Sequence, residues 1–314
     1  MERYSTRAPA KGFIWIIFSV VWLFLLLYIR VFKPWALLRR PYRVKSVRPE
    51  RGDSWTVTVE PASSDSPLAF HPGQFAWLTL GLSPFRAREH PFSFSGSAED
   101  RSVLQFTIKE LGDFTRIVKF INPGEVAYVD GPHGVFTSDL YPDAPGFGFI
   151  AGGVGIAPIM SMLRTLADRR EQRPLLLIYG NSNWERVLFR EEIDSLAQSL
   201  NLKLVHVLQD PPPEWAGLSG ILSADVLKQS IGKEATDFVF FACGPKGMIH
   251  SAQRALRELG VPLRRVNYEH FEMVVADALN VADGEHHRSR RHDSVPDSPP
   301  IVFDSKLLAT ITPE

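Results

Sequence analysis

The chain has 314 residues, enough for about two domains, and its 35 basic residues balance 35 acidic ones. That neutrality excludes a whole-chain basic footprint for nucleic acid. The single cysteine, Cys243, excludes an internal disulfide framework, a cysteine-held iron–sulfur cluster and a multi-cysteine zinc site within the chain.

Residues 1–39 form an N-terminal segment. "GFIWIIFSVVWLFLLLYI", Gly12 to Ile29, carries no charge. It predicts a transmembrane helix over about 12–32, near the ~20 residues that a span requires. Trp15, Tyr28 and Trp35 suit the membrane interfaces. No small-x-small site follows, which argues against a cleaved signal peptide. Arg3, Arg7 and Lys11 precede the run, and Arg30, Lys33, Arg39, Arg40, Arg43, Lys45 and Arg48 follow it. This excess predicts a single pass through the cell (inner) membrane, with the rest of the chain in the cytoplasm. The span holds no histidine and so offers no axial imidazole to a haem; by itself it is an anchor in membrane lipid.

Residues 40–140 read as short strands at 55–60, 74–81, 104–111 and 125–131, divided by Gly, Pro, Ser and Asp clusters. Such spacing predicts a barrel or sandwich. One short helix, 113–121, interrupts it. "EHPFSFSGS" (89–97) gathers His90, Phe92 and Ser93 on an extended segment. "KELGDFT" (109–115) sets a glycine before a helix start, where Asp113 or Thr115 could cap and N–H groups could receive phosphate. Each also reads as plain structure: a strand with an aromatic core face, and an ordinary capped turn.

Residues 141–275 change pattern. Apolar strand-like runs at 147–151, 174–180, 202–208 and 237–243 alternate with helical ones at 157–169, 189–200, 222–231 and 246–259. The alternation predicts a parallel sheet with helices on both faces. Ile159, Met162, Leu163 and Leu166 form a helical stripe that belongs in a core. Gly152, Gly153 and Gly155 sit where strand becomes helix, with Pro158 in the first turn. Glycines there admit either a phosphate-bearing ligand or simply a tight turn. The spacing is not G-x-G-x-x-G. "FFACGPKGM" (240–248) places Cys243, Gly244 and Pro245 at the end of another strand. Two such loops on one sheet edge point to a dinucleotide. Residues 276–314 show no sustained periodicity and read as a disordered tail, in which His286, His287 and His292 are better taken as solvated than as metal ligands. No metal site is expected.

In order, "HPFS", "KELGDFT", "GPHG", "AGGVGIAP", "ACGPKGM" and "YEHFEM" resemble the flavin- and pyridine-nucleotide-binding modules of the ferredoxin–NADP reductase superfamily, nearest its ferric reductase and NADPH oxidase branch. The likeness spans residues 40 to 275. It implies an α+β two-domain protein: an antiparallel FAD-binding β-barrel, then a parallel α/β NAD(P)-binding domain. It implies that His90, Pro91, Phe92 and Ser93 hold the isoalloxazine and nearby phosphates, with Ser93 near the flavin N5. Gly112, Phe114 and Thr115 then meet the pyrophosphate. Gly152, Gly153, Gly155 and Pro158 carry the nicotinamide nucleotide, Cys243, Gly244 and Pro245 shape the nicotinamide pocket, and Phe271 stacks on the flavin. Ser93, Cys243 and Phe271 are the expected catalytic trio. Many relatives have arginine at the position of His90.

The activity implied is hydride transfer from NADPH to FAD, then single electrons to an acceptor: a haem-bearing membrane domain or subunit, ferric iron or oxygen. A non-catalytic flavin-binding scaffold is the alternative. Nucleotide choice rests on "YGNSNWERVLFREE" (179–192). No acid stands at the strand end, where one would favour a free 2′-hydroxyl. Asn181 and Ser182, with Arg186 and Arg190 beyond, favour NADPH over NADH.

Overall fold

The computed structural model describes residues 8–63, 68–81, 83–85, 89–233 and 235–270. Phe271 and the 276–314 tail, with its three histidines, lie outside the described residues.

Helix α1 (Ala8–Leu27) passes through a π-helical turn at Tyr28–Phe32 into α2 (Lys33–Leu38). The apolar stretch Gly12–Leu38 is long enough to cross a membrane, and no part of its most apolar window, of mean hydropathy 2.5, is buried among the described residues. The helix continues past its expected end near residue 32. Pro34 does not stop it, because it falls in the first turn of α2, where a missing N–H costs least. Pro34 is buried there, and Lys33 Nζ lies 2.6 Å from Asp130 and 3.2 Å from Glu89. The helix end is therefore bound to the sheet that follows.

That sheet holds β1 (Tyr42–Glu50), β2 (Ser54–Pro61), β3 (Phe75–Leu80), β4 (His90–Ser93), β5 (Leu104–Lys109) and β6 (Val126–His133), in the order β4-β3-β6-β1-β2-β5. All its pairs are antiparallel. Its two edges meet through the single bridge Phe94↔Phe106 and a hydrogen bond from Ser95 N to Gln105 O. The result is a curled, partly open barrel rather than a fully closed one. Phe94, Phe106, Val57 and Leu78 fill it. The expected helix at 113–121 is shorter: α3 (Asp113–Ile117), then a 3-10 turn.

A second sheet is parallel throughout: β7 (Phe147–Gly152), β8 (Leu175–Asn181), β9 (Leu202–Leu208), β10 (Leu218–Ser219), β11 (Val239–Gly244) and β12 (Val266–His270), in the order β10-β9-β8-β7-β11-β12. Helices α4 (Ile156–Asp168) and α5 (Arg190–Ser199) cover one face; α6 (Ala224–Ile231) and α7 (Lys246–Glu258) cover the other. Ile159, Met162, Leu163 and Leu166 are all buried, as the stripe requires. Strand order reverses between β7 and β11, so a crevice opens there at the carboxyl ends of the strands, where ligands of open α/β sheets collect.

The two sheets share a packed polar seam. Arg164 of α4 donates to the Ser95 carbonyl at 2.6 Å and grips Glu192 through two bonds of 2.6 and 2.7 Å. Thr165 Oγ1 accepts from Ala98 N at 2.9 Å. Arg164→Ala leaves the buried Ser95 carbonyl without this donor, and is expected to cost about 2 kcal/mol in urea unfolding.

Candidate functional site

The residues expected to hold a flavin stand on β4 and at the start of α3. β4 is an edge strand, which tolerates Pro91, and it pairs with β3 so that Ser93 faces Phe75 and His90 faces Leu78. The His90 ring lies on Phe114, with centroids 4.0 Å apart, and Phe92 flanks Phe114 at 6.1 Å. Three half-buried rings thus form one aromatic shelf. Burial lowers the His90 pKa below its ordinary 6.5. Burial thus favours the neutral imidazole over a cation that would stand in for an arginine. Thr115 Oγ1 accepts from Leu111 N at 2.8 Å and Gly112 N at 2.9 Å, and donates to Gly112 O at 3.0 Å. Its hydroxyl shapes the turn that begins α3. The space beside Gly112 is open.

Six of the residues expected to hold a nucleotide, Gly152, Gly153, Asn181, Arg186, Gly244 and Pro245, line a cleft of about 330 Å³ at the strand-order reversal. Gly152 and Gly153 reach it from β7, Asn181 and Ser182 from β8, and Gly244 and Pro245 from β11. The barrel contributes Gly52, Lys109 and Leu111 to the same cleft. Arg186 lines it and Arg190 does not; Arg190 lies over Trp184 at 4.5 Å and pairs with Glu191. The Asn181 amide nitrogen, beside the buried Tyr179 hydroxyl, has no hydrogen-bond partner of good geometry.

The glycines divide by role. Gly153 has φ +53° and nothing within 4 Å of where a Cβ would stand. Its carbonyl accepts from the Tyr179 hydroxyl at 3.1 Å, which braces the loop. Gly155 is buried and packs against the next strand: a Cβ there would run into the Cys243 carbonyl and lie 2.9 Å from Gly244 N. Gly155 therefore lets two loops meet, while Gly153 opens toward the cleft. Pro158 is buried in the first turn of α4 and does not reach the cleft.

Cys243 is fully buried, and burial together with the charge of Glu269 pushes its thiol well up. It is an uncharged packing group between its pair partners Ala151 and Glu269. Glu269 is a residue the sequence did not single out. Burial raises its pKa to about 7. Its Oε1 lies 3.9 Å from where a Gly134 Cβ would stand, and the Phe75 ring packs against the same position at 3.2 Å. Phe75 in turn pairs with Ser93. Ser93 and Cys243 thus flank one seam, with Glu269, Gly134 and Phe75 between them. The signal for Glu269 was an acid set between Tyr268 and Phe271 in "YEHFEM"; that for Lys109 was a cation ending an apolar strand.

The fold sets a partly open antiparallel barrel beside the carboxyl edge of a parallel sheet, and residues of both line the cleft. Residues 149–254 match the family model "oxidoreductase NAD-binding domain". The chain is 32% identical over 198 residues to the probable dihydroorotate dehydrogenase B (NAD(+)), electron transfer subunit of Methanopyrus kandleri, covering 63% of this chain and 68% of that protein. It is 32% identical over 155 residues to NADH-cytochrome b5 reductase 1 of Candida albicans, covering 48% of this chain and 52% of that one. It thus spans about half the length of the b5 reductase relatives it matches. Among solved structures, the flavohem-like FAD/NAD-binding domain of nitric oxide dioxygenase from Vibrio cholerae shares the fold, with a TM-score of 0.65 at 22% identity over 74% of this chain and 98% of that domain. The chain belongs to the ferredoxin reductase-like superfamily of FAD- and NAD-binding oxidoreductases.

Proposed function

We propose that the chain is a membrane-anchored flavoprotein that takes hydride from a reduced nicotinamide dinucleotide onto FAD and passes single electrons to an acceptor at the membrane. The observation that carries this reading is the cleft itself, which gathers Gly153, Asn181 and Pro245 of one sheet with Lys109 and Leu111 of the other. A nicotinamide held on one side and a flavin on the other would meet across that seam.

The residues fit FAD on two counts: the His90–Phe114–Phe92 shelf offers apolar ring faces, and the position beside Gly112 leaves the chain open to close approach. When bound, FAD supplies the hydride-accepting and one-electron chemistry. The protein supplies placement. Ser93, buried on β4, would hydrogen-bond at the edge of the flavin ring. Gly153 and the Asn181 amide would receive the nucleotide, with Lys109 offering a cation for its phosphates. Buried Cys243 and half-buried Glu269 back the seam and limit the entry of water. Phe271 completes the site in this reading by covering the flavin.

The anchor reading rests on the apolar stretch Gly12–Leu38 and on the Lys33 ion pairs that fix its end beside Asp130 and Glu89. It places the catalytic sheets on the cytoplasmic side and the acceptor, as in ferric reductases and NADPH oxidases, in a haem-bearing membrane domain or subunit. Ferric iron and oxygen are the other acceptors of that branch.

The test is to purify the full chain in detergent, load it with FAD, and follow flavin absorbance without oxygen after adding NADH or NADPH. Bleaching is the expected result. FAD that binds but bleaches with neither nucleotide would replace the enzyme reading with that of a flavin-binding scaffold.

A further inference from the structure

We propose that Asp53, on the β1–β2 hairpin of the barrel, is a specificity-determining residue that turns the cleft away from a 2′-phosphorylated dinucleotide by occupying Arg186. The inference rests on the reading of the cleft as a dinucleotide site and decides which dinucleotide it takes.

The residues that select the 2′ group in such sheets stand just past the second strand. Here that place holds Asn181 and Ser182, both neutral, and Arg186. Arg186 is the one guanidinium that lines the cleft among the described residues. It is already engaged: its Nη2 lies 3.3 Å from Asp53 Oδ2. The partner comes from the other sheet, across the domain seam. The hairpin tip also presses on Arg186 directly, since a Cβ on Gly52 would stand 3.1 Å from the Arg186 carbonyl. A second clamp holds the hairpin in place: Arg51 grips Glu191 through two bonds of 2.7 Å. Arg190, the other basic residue of the segment, is turned toward Trp184 and Glu191.

A 2′-phosphate carries a charge near −2 at pH 7. To bind beside Asn181 and Ser182 it must take Arg186 from Asp53 and then sit close to the released carboxylate. A free 2′-hydroxyl needs neither. The arginine that favours NADPH in the sequence is thereby neutralised in the fold, and the site selects NADH. Both members of the pair are largely solvent-exposed. The pair is accordingly weak, and the selection it imposes is modest and sensitive to salt.

Asp53→Asn is a clean probe. Asp53 has φ +55°, a left-handed conformation that asparagine tolerates equally well, so the turn survives the exchange. ADP-ribose and 2′-phospho-ADP-ribose, which lack nicotinamide, are titrated calorimetrically into the full FAD-loaded chain in detergent. D53N is expected to tighten 2′-phospho-ADP-ribose about five- to tenfold while ADP-ribose changes less than about twofold. Adding Arg186→Gln to D53N should abolish the gain. An unchanged ratio in D53N, or an equal gain for both ligands, overturns the assignment of Asp53 alone. Failure of both ligands to bind any variant overturns the dinucleotide reading on which it stands.

Discussion

Gly155→Ala is expected to destabilise the chain by about 3 kcal/mol and to weaken ADP-ribose binding about a hundredfold. The reason is steric and lies in backbone atoms. The loop after β7 meets the end of β11 at Gly155, and an added methyl would enter the space of the Cys243 carbonyl, with the Cys243 carbonyl carbon at 2.6 Å and Gly244 N at 2.9 Å. No flexible side chain can give way, so one loop must move. Either loop carries residues that line the cleft: Gly152 and Gly153 on one, Gly244 and Pro245 on the other. Gly153→Ala separates packing from binding. Its methyl meets nothing in the protein, but the left-handed backbone costs about 1 kcal/mol. That variant should fold with a small loss and still bind poorly, because the methyl faces the ligand. Urea unfolding together with calorimetry on both variants checks the contrast. Two variants with equal unfolding losses would show that the two glycines share one role.

The parallel sheet was readable because its strands are buried on both faces. Runs such as "LLLIYG" on β8 are apolar throughout, and their alternation with amphipathic helices leaves little choice of topology. The strands that escaped notice are those where burial is one-sided or slight. β1, "YRVKSVRPE", exposes Arg43 and Lys45 and buries Tyr42 and Val44, with an irregular register after Val44. Its basic residues suggested only a membrane flank. β12, "VNYEH", is an edge strand that is nowhere fully buried. The site followed the same division. Glycine loops announce themselves locally, whereas Asp53 and Glu269 gain meaning only through partners 133 and 26 residues away, Arg186 and Cys243. Nothing in the local sequence distinguishes Asp53 from any hairpin acid. Even the three glycines of one motif looked alike in sequence, and only the approach of β11 separates Gly155 from Gly153.

Glu269→Gln is expected to stabilise the chain at alkaline pH by up to about 3 kcal/mol and to leave it nearly unchanged below pH 4.5. Burial raises the pKa of Glu269 from its ordinary 4.5 to about 7. Below 4.5 the carboxyl is protonated both folded and unfolded, so it contributes no pH dependence. Between 4.5 and 7 the unfolded chain releases the proton and the folded chain keeps it. Stability therefore falls as pH rises through this window, and the full cost of a buried charge is present above it. Glutamine cannot ionise, so the gap between variant and wild type should open across the same window and then stay level. Urea unfolding at pH 4.5, 6 and 8 measures it, and a gap that does not vary with pH would show that Glu269 is solvated. The same proton bears on the reaction proposed here. Glu269 sits between Cys243 and the Gly134 turn, on the seam where nicotinamide and flavin would meet. Near neutral pH it can switch between a hydrogen-bond donor and a negative charge. A negative charge behind the nicotinamide would stabilise the cation that hydride departure creates, so the rate of flavin reduction should bend near pH 7 in the wild type. In E269Q that bend should be lost while the rest of the profile remains, because the substitution keeps the shape of the side chain and removes its proton.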